Sequence, residues 1–200
     1  MAFKYVNMAD INRDPSVGRR NGQARGGGED EAERAAERSD LIAHVELLFF
    51  AYRDFTGDPD AVLAQYGFGR AHHRVLHFVH RNPGLRVANL LEILKITKQS
   101  LARVLKQLIG EGCIVQKAGA EDRRARLLYA TLKGTRLAER LTVLQVKRVE
   151  AALAAAGPEA EAATRRFLLA MISEEDRPQV EALVRVLAPG EKIDEEKTRS

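Results

Sequence analysis

The basic residues of this chain concentrate between positions 86 and 126, where their density suits a polyanionic partner. That stretch holds nine Lys or Arg against four Asp or Glu, a local net charge of +5, whereas the whole chain carries only +4. A local excess of this kind indicates a polyanion-facing surface more strongly than an even distribution of charge would. The chemistry predicted first is therefore the binding of phosphates and of base edges.

Residues 98–107 carry side chains that suit the reading of duplex DNA. On a helical wheel the apolar residues share one side, namely Leu101, Val104, Leu105 and Leu108. The candidate DNA contacts lie opposite or beside them and are Lys98, Gln99, Ser100, Arg103, Lys106 and Gln107. In the major groove a glutamine can pair bidentately with adenine, and an arginine with guanine. Thr97 is placed to cap this helix, which leaves Lys98 free to reach a phosphate at the positive helix end.

Two short β candidates, 114–117 and 127–130, flank a polar loop that completes the pattern. The loop carries Arg123, Arg124 and Arg126, and the negative potential of the minor groove attracts guanidinium groups. Taken singly, a charged helix face or an arginine-rich hairpin is typical of any solvated surface. Their order and close spacing favour a helix and a hairpin that bind DNA together.

The segments that must position these groups are mostly helical. A first helix is predicted by an apolar stripe at i, i+4, i+7 and i+11, formed by Leu41, Val45, Leu48 and Tyr52. We expect the segment from Thr56 to Pro59 to end it. Further helices are expected at about 69–80, 87–94, 98–110, 132–156, 159–172 and 173–187, with Thr131 as the cap of the long one. The fold class predicted is mainly α with a small β-wing.

Composition divides the chain into three parts. The Gly-rich run NGQARGGG and the charged run EDEAERAAER have little to bury, which predicts a flexible N-terminal extension. The second half of this extension could lengthen the helix that follows, because Ala, Glu and Arg favour helices. The predicted boundaries are 1–38 for the extension, 39–187 for the folded domain, with its core at about 69–131 and outer helices at 39–56 and 132–187, and 188–200 for a polar tail.

Three observations bear on the compartment. No stretch reaches the roughly 18 uninterrupted apolar residues of a spanning helix. The first twenty residues lack the apolar centre of a secretory signal. The single cysteine cannot form an internal disulfide, which agrees with a reducing environment. We therefore expect a cytoplasmic protein without a membrane partner.

The run LLEILKITKQSLARVLKQLIGEGCI, followed by DRR and then YATLKG, resembles the core of the MarR family of winged helix-turn-helix regulators. The resemblance covers about 40–187 and implies a winged helix-turn-helix domain with a helical dimerisation region. It also implies a homodimer that binds a palindromic duplex operator and regulates transcription. Asp122 and Arg124 match the D-x-R pair of the wing, in which the aspartate usually orients the arginine for minor-groove contact. The runs GRAHHRVLHFV and ITKQSLARVL are similar to an alphaproteobacterial branch of the family.

The chain departs from the family pattern at a few positions. Leu91 replaces a small residue, Arg86 stands where a capping Thr or Ser is common, and Ala130 replaces a leucine. None of these changes removes a DNA-facing group. Residues 150–172 are longer than the usual link between the last two helices, which affects the expected details of the dimer interface.

Aromatic and imidazole side chains on the first two helices predict a site for a small aromatic or anionic effector. The proposed lining is His44, Phe49, Tyr52, His73 and His77. Apolar pockets with a few polar groups are the usual ligand sites, and many MarR-like proteins respond to phenolic compounds. The alternative is that these aromatics simply fill the core.

The remaining reactive side chains predict no cofactor. His73, His77 and His80 share one helical face and could chelate zinc, but a tetrahedral site needs further ligands, so we expect no metal. Cys113 is expected to be a buried, inert thiol.

Motifs for an enzyme are absent: there is no nucleophile elbow, phosphate loop, H-E-x-x-H or paired-cysteine motif. Two alternatives to a DNA reader remain. One is a winged module that binds a protein or RNA, and the other is a metal-responsive or enzymatic helical protein that uses the histidines.

Overall fold

The computed structural model describes residues 27–119 and 125–184, and these residues divide between two compact units, Met1–Phe50 and Ala51–Ser200. Helices and strands follow one another in these ranges as α1 (Gly27–Ala64), α2 (Arg70–Arg81), β1 (Leu85–Arg86), α3 (Val87–Leu94), α4 (Lys98–Gly110), β2 (Ile114–Ala118), β3 (Arg126–Ala130), α5 (Leu132–Ala156), α6 (Ala160–Ala170) and α7 (Arg177–Val184). The mainly α fold with a small β-wing is confirmed.

The described part of the first unit is the N-terminal portion of α1. Its large apolar side chains are exposed, and they include Leu41, Ile42, Val45, Leu47, Phe49 and Phe50. His44 is also exposed, and its Nδ1 lies 2.7 Å from the carbonyl oxygen of Asp40, one turn earlier. The expected extension 1–38 therefore contributes 27–38 to the helix, whereas 1–26 lie outside the described residues.

The second unit contains an apolar core to which the end of α1, α2, α3, α4, the sheet and α5 all contribute. Its most deeply buried side chains are Leu63, Val75, Leu76, Val79, Leu90, Leu101, Leu108, Cys113, Ile114, Leu128 and Leu141. Each helix contributes residues three or four positions apart, as the 3.6-residue period requires. This core holds α4 and the sheet in one rigid arrangement.

The prediction that Thr56 to Pro59 end the first helix is wrong, because α1 continues to Ala64 with Pro59 inside it. Proline removes one backbone donor, which normally favours a break. Here Pro59 is fully buried, and Val62 and Leu63 in the following turn belong to the core. Burial of these apolar side chains outweighs the local preference, since burying one such side chain is worth about 1.5–3 kcal/mol.

The helix-turn-helix has the bounds that the sequence predicts, Val87–Leu94 and Lys98–Gly110. Lys95 ends α3 in the left-handed conformation, with φ 50°, and its N–H donates to the Leu91 carbonyl over 2.9 Å. Thr97 then caps α4, since its Oγ1 accepts from the Ser100 N–H over 3.2 Å. The predicted cap is confirmed, and it sets where the exposed face of α4 begins.

The sheet has the antiparallel order β1-β3-β2. In β2 and β3, Ile114 pairs with Ala130 and Ala118 pairs with Arg126, which confirms the predicted hairpin. Strand β1 was not predicted, because two residues carry no alternating pattern. It pairs with β3, where Leu85 lies opposite Leu128. The preceding residue, Gly84, donates its N–H to the Leu128 carbonyl over 2.9 Å.

The first residues of α5 and its cap form hydrogen bonds with the turn that joins α4 to the sheet. Thr131 Oγ1 donates to the Gly112 carbonyl over 2.6 Å and accepts from the Gly134 N–H over 3.1 Å, which confirms Thr131 as the cap. Lys133 Nζ donates to the Glu111 carbonyl over 2.6 Å. A Cβ on Gly134 would lie 2.0 Å from the carbonyl oxygen of Cys113, so only glycine fits there. These contacts give each of Thr131, Lys133 and Gly134 a structural role at the start of α5.

Helices α6 and α7 differ from the core helices, because neither has a buried residue. The exposed apolar side chains on these helices or directly after α6 include Phe167, Leu168, Met171 and Val184. A salt bridge of 2.9 Å joins Asp176, just before α7, to Lys95 in the turn between α3 and α4. Within 27–119 and 125–184, no helix is long and apolar enough to cross a membrane.

Candidate nucleic-acid interface

Helix α4 has one buried face and one exposed face. Leu101, Val104, Leu105 and Leu108 are buried in the core, as the helical wheel predicts. All six residues predicted to contact DNA from this helix, Lys98, Gln99, Ser100, Arg103, Lys106 and Gln107, are exposed. The core therefore presents the polar face of α4 outward along its whole length.

The exposed face of α4 is cationic and contains no carboxylate. Lys98, Arg103 and Lys106 are its charged residues. In the part of the chain that the structure describes, no acidic side chain forms a salt bridge with any of the three. Lys98 also lies in the first turn, where the free N–H groups of the helix add positive potential. Unneutralised cations at this spacing suit a phosphate backbone.

Two of the exposed polar residues are already bonded within the protein. Ser100 Oγ accepts from Thr97 Oγ1 over 2.9 Å, which ties it to the helix cap. Gln107 Oε1 lies 2.5 Å from Nε2 of His72, on α2. The sequence analysis assigned no role to His72, because a contact between residues so far apart in the chain leaves no local pattern.

The described part of the wing adds cations beside α4. Arg126 is exposed and pairs with Ala118 across the hairpin. Lys117 is also exposed, and its Nζ lies 5.2 Å from the centre of the Tyr129 ring, a cation–π contact. Lys117 was missed as a candidate, although its position on a strand that borders the arginine loop could have indicated it. Asp122, Arg123 and Arg124 lie outside the described residues.

A cavity of about 240 Å³ opens in the second unit between α1, α2 and α5, and it brings together three of the residues proposed for an effector site. Its lining is Tyr52, Phe55, Thr56, Arg70, His73, Arg74, His77, Phe78 and Gln145. His44 and Phe49 belong to the first unit and are not among these residues. Arg70 lies at this cavity, where it bonds Asp60 over 2.8 Å and stands over the Tyr52 ring at 5.4 Å.

The two histidines of the cavity favour their neutral forms. Burial lowers the pKa of His73 below its usual value, although the charge of Asp60 opposes the effect. Burial also lowers the pKa of His77, and electrostatic interactions with His73, Arg81 and His80 act in the same direction. Neutral imidazoles beside aromatic rings form an apolar lining with a few hydrogen-bonding groups.

The other reactive groups are accounted for by packing. Among the described residues, no group of three or more His, Cys, Asp or Glu is arranged to hold a metal ion. Cys113 is fully buried, as predicted, and desolvation raises the pKa of its thiol. A thiol with a raised pKa is a poor nucleophile at neutral pH.

A helix-turn-helix whose second helix exposes a cationic face, followed by an antiparallel hairpin, defines the winged helix-turn-helix class of DNA-binding proteins. Sequence similarity to known proteins supports the same class. A sequence model described as the MarR family matches residues 66–125. The HTH-type transcriptional regulator PetP of Rhodobacter capsulatus is 49% identical over 128 residues, which cover 64% of this chain and 77% of that protein. The chain belongs to the MarR family.

Solved structures show the same fold at lower sequence identity. The transcriptional regulator SlyA is similar with a TM-score of 0.57 and 20% identity, over 70% of this chain and 99% of that one. A MarR transcriptional regulator from Methanosarcina mazei Go1 is similar with a TM-score of 0.55 and 21% identity, over 66% of this chain and 94% of that one. Membership of the MarR family, and not this likeness of fold, makes the chain a DNA-binding transcriptional regulator and not an enzyme.

Proposed function

We propose that this regulator acts as a homodimer that reads a palindromic duplex operator, with α4 in the major groove and the wing along the minor groove. The observation that carries the proposal is the exposed face of α4, which holds three cations and no acid above a fully packed apolar face. The major groove admits one helix, and exposed Arg and Gln side chains suit base edges there. The contacts proposed on α4 are Lys98, Gln99, Ser100, Arg103, Lys106 and Gln107, and those on the wing are Arg123, Arg124 and Arg126.

The exposed apolar side chains support the homodimer. Phe167 and Leu168 on α6 and Met171 directly after it are each about half exposed or more, and neither α6 nor α7 has a buried residue. Contiguous apolar surface of this kind marks an interaction site. In the first unit, the exposed apolar residues of α1 are a separate candidate for contact with the second copy. A two-fold dimer places its reading helices about one helical turn of DNA apart, so the half-sites should be centred ~10 bp apart.

The decisive experiment compares Arg103→Ala with Lys98→Ala on a duplex selected from a random-sequence pool by the wild-type chain. Arg103→Ala should cost about 1–3 kcal/mol and relax preference at one base position, because it removes a contact to a base edge. Lys98→Ala should weaken all sequences alike, because it removes a phosphate contact. If Arg103→Ala kept both affinity and sequence preference, α4 would not be the reading helix.

The wing has its own test. Arg124→Ala should lower affinity and reduce the salt dependence of binding, because one cation leaves the duplex. Asp122→Ala should have nearly the same effect if Asp122 orients that arginine. Binding by Asp122→Ala that equals the wild type would reject the orienting role.

Since such a regulator acts where the genome is, the proposal keeps the cytoplasm as its compartment.

A small aromatic or anionic effector is supported by the cavity lined by Tyr52, His73 and His77. Rings and neutral imidazoles suit an aromatic body, and the exposed Arg74 at the same cavity suits an acidic group. A ligand can change operator affinity only if it binds the DNA-competent state and the alternative state differently. The coupling expected is of ordinary size, about 1–3 kcal/mol.

The test of the effector site is a thermal-shift screen of benzoates and phenols, followed by operator titration with each compound that stabilises the protein. His77→Phe should abolish the shift, whereas His44→Gln, in the first unit, should leave it unchanged. Compounds that stabilise the protein without changing operator affinity would refute the switch.

A further inference from the structure

His72, near the start of α2, is held by three contacts. The Gly69 N–H donates to its Nδ1 over 3.1 Å. Its ring stacks on Phe68, with centroids 4.8 Å apart and an angle of 9° between the planes. Its Nε2 lies 2.5 Å from Oε1 of Gln107 on α4. The ring is therefore fixed in position, orientation and hydrogen bonding at once.

These contacts define which nitrogen of His72 carries hydrogen. A backbone N–H can only donate, so Nδ1 must accept with its lone pair. The hydrogen of the neutral ring is then on Nε2, which donates to Gln107. Since Nε2 donates, the atom that it meets must be the carbonyl oxygen of the Gln107 amide, and the amide cannot turn over without losing this bond.

We propose that His72 is a positioning residue for DNA recognition, which turns the Gln107 amide so that its NH₂ group is the end that meets the duplex. The Oε1 atom of Gln107 faces His72 on α2, and the NH₂ group of Gln107 remains free to donate to DNA. Bidentate pairing with adenine needs both ends of an amide on the DNA side. Gln107 therefore recognises a hydrogen-bond acceptor of DNA, either O6 or N7 of guanine, N7 of adenine, O4 of thymine, or a phosphate oxygen.

Gln107 lies close to Arg103 on the exposed face of α4, so the orientation of its amide affects the hydrogen bonds that this face can make. Gln107 lies four residues after Arg103, so the two share one side of the exposed face of α4. Arginine has donors only. Together they form a surface that offers hydrogen and no acceptor. This inference rests on the proposed function, in which α4 is the reading helix.

The two properties of the His72 ring can be separated by two substitutions. His72→Phe keeps an aromatic ring to stack on Phe68 but loses both nitrogens. His72→Gln keeps an acceptor and a donor but loses the ring. On the duplex selected by the wild-type chain, His72→Phe and Gln107→Ala should each weaken binding about two- to tenfold, the range of one hydrogen bond. His72→Gln should bind within about twofold of the wild type.

The double variant His72→Phe with Gln107→Ala tests whether the two residues act as one unit. It should bind no more weakly than either single variant, because the second substitution removes a contact already lost. If the double variant lost affinity by the product of the two single-variant factors, the residues would act independently and the proposal would be overturned. Weakened binding by His72→Gln together with wild-type binding by His72→Phe would also overturn it, since stacking on Phe68 alone would then explain the effect.

Base preference identifies which acceptor Gln107 meets. Gln107→Ala should lose a preference for a base with a major-groove acceptor, which is adenine, guanine or thymine, or, if the acceptor is a phosphate, weaken every sequence equally. Loss of a cytosine preference at that position would contradict the donor-only orientation, because cytosine offers only a donor in the major groove.

A measurement on the wild-type full chain, without DNA, tests the orientation even if a variant fails to fold. Nitrogen-15 NMR of the imidazoles should show His72 with hydrogen on Nε2 and none on Nδ1. The opposite tautomer would overturn the proposal. Failure of the proposed function has a different signature, since Arg103→Ala would then leave binding intact. If Arg103→Ala weakens binding while the His72 and Gln107 losses multiply, only the positioning role fails.

Discussion

The winged core and the C-terminal helices meet the demands of folding differently. Leu76, Leu90, Leu108 and Leu141, on α2 to α5, are completely buried, so these side chains are covered within one chain. Neither α6 nor α7 has a fully buried residue, and Phe167 and Leu168 on α6 and Met171 directly after it are exposed. Apolar area is stabilising only when it leaves water, at about 25 cal/mol per Å². The buried core side chains therefore already contribute to stability, whereas the exposed ones of the C-terminal helices would do so only against a second surface, as in the proposed dimer.

The largest effect should come from a charge placed on α6. Leu168→Asp should raise the dissociation constant of the dimer about a hundredfold or more, because it buries an unpaired carboxylate in the interface. Operator affinity should fall with it, since two linked half-site contacts become separate ones. Ala162→Asp, on the other side of α6, should leave both unchanged. A Leu168→Asp protein that stayed dimeric by analytical ultracentrifugation would refute the assignment of α6 to the interface.

Within the core, Gly134→Ala should destabilise the joint between α4, the sheet and α5. The added methyl would lie 2.0 Å from the Cys113 carbonyl oxygen, so backbone must move, at a cost of about 1–3 kcal/mol or more. Gly110→Ala is the matched control, because its Cβ would meet nothing within 4 Å and alanine favours a helix. Urea unfolding of both variants measures the difference. Equal stability of the two would mean that the close approach at Gly134 is relaxed at no cost.

The cavity histidines should make the stability of the core depend on pH. The pKa values of His73 and His77 are lowered on folding, so the unfolded chain binds more protons as the pH falls through about 6.5. The free energy of unfolding should therefore be highest above that pH and decrease below it. His73→Gln should flatten this dependence, and His44→Gln should not. An unfolding free energy that stayed constant from pH 7.5 to about 5.5 would contradict the burial of neutral imidazoles.

The smallest effect concerns the salt bridge between the two regions, Lys95 to Asp176. Both side chains are partly exposed to solvent, at 62% and 28%. Exposed ion pairs contribute little and are screened by salt. Asp176→Asn should lower the Tm slightly in dilute buffer, with the difference vanishing at high salt, and Glu174→Gln should serve as the unpaired control. A large loss that persists in high salt would show that this bridge is more than an exposed contact.

Local patterns in the sequence were sufficient for the helix-turn-helix and for the exposed face of α4. The 3.6-residue period of Leu101, Val104, Leu105 and Leu108 is a local property, and so is the cap at Thr97. The same holds for the hairpin and for Thr131. These features agree with the structure because each is determined by residues within a few positions of one another. The MarR-family resemblance rests on the same segments.

Tertiary packing alone decided the rest. Pro59 stays within α1 because Val62 and Leu63 gain more from burial than the helix loses at proline. Strand β1 exists only because β3 offers it a partner. The contact between His72 and Gln107 joins two helices that no local pattern relates. In each case the deciding energy comes from residues distant in the sequence, and such contacts exist only once the core has brought the segments together.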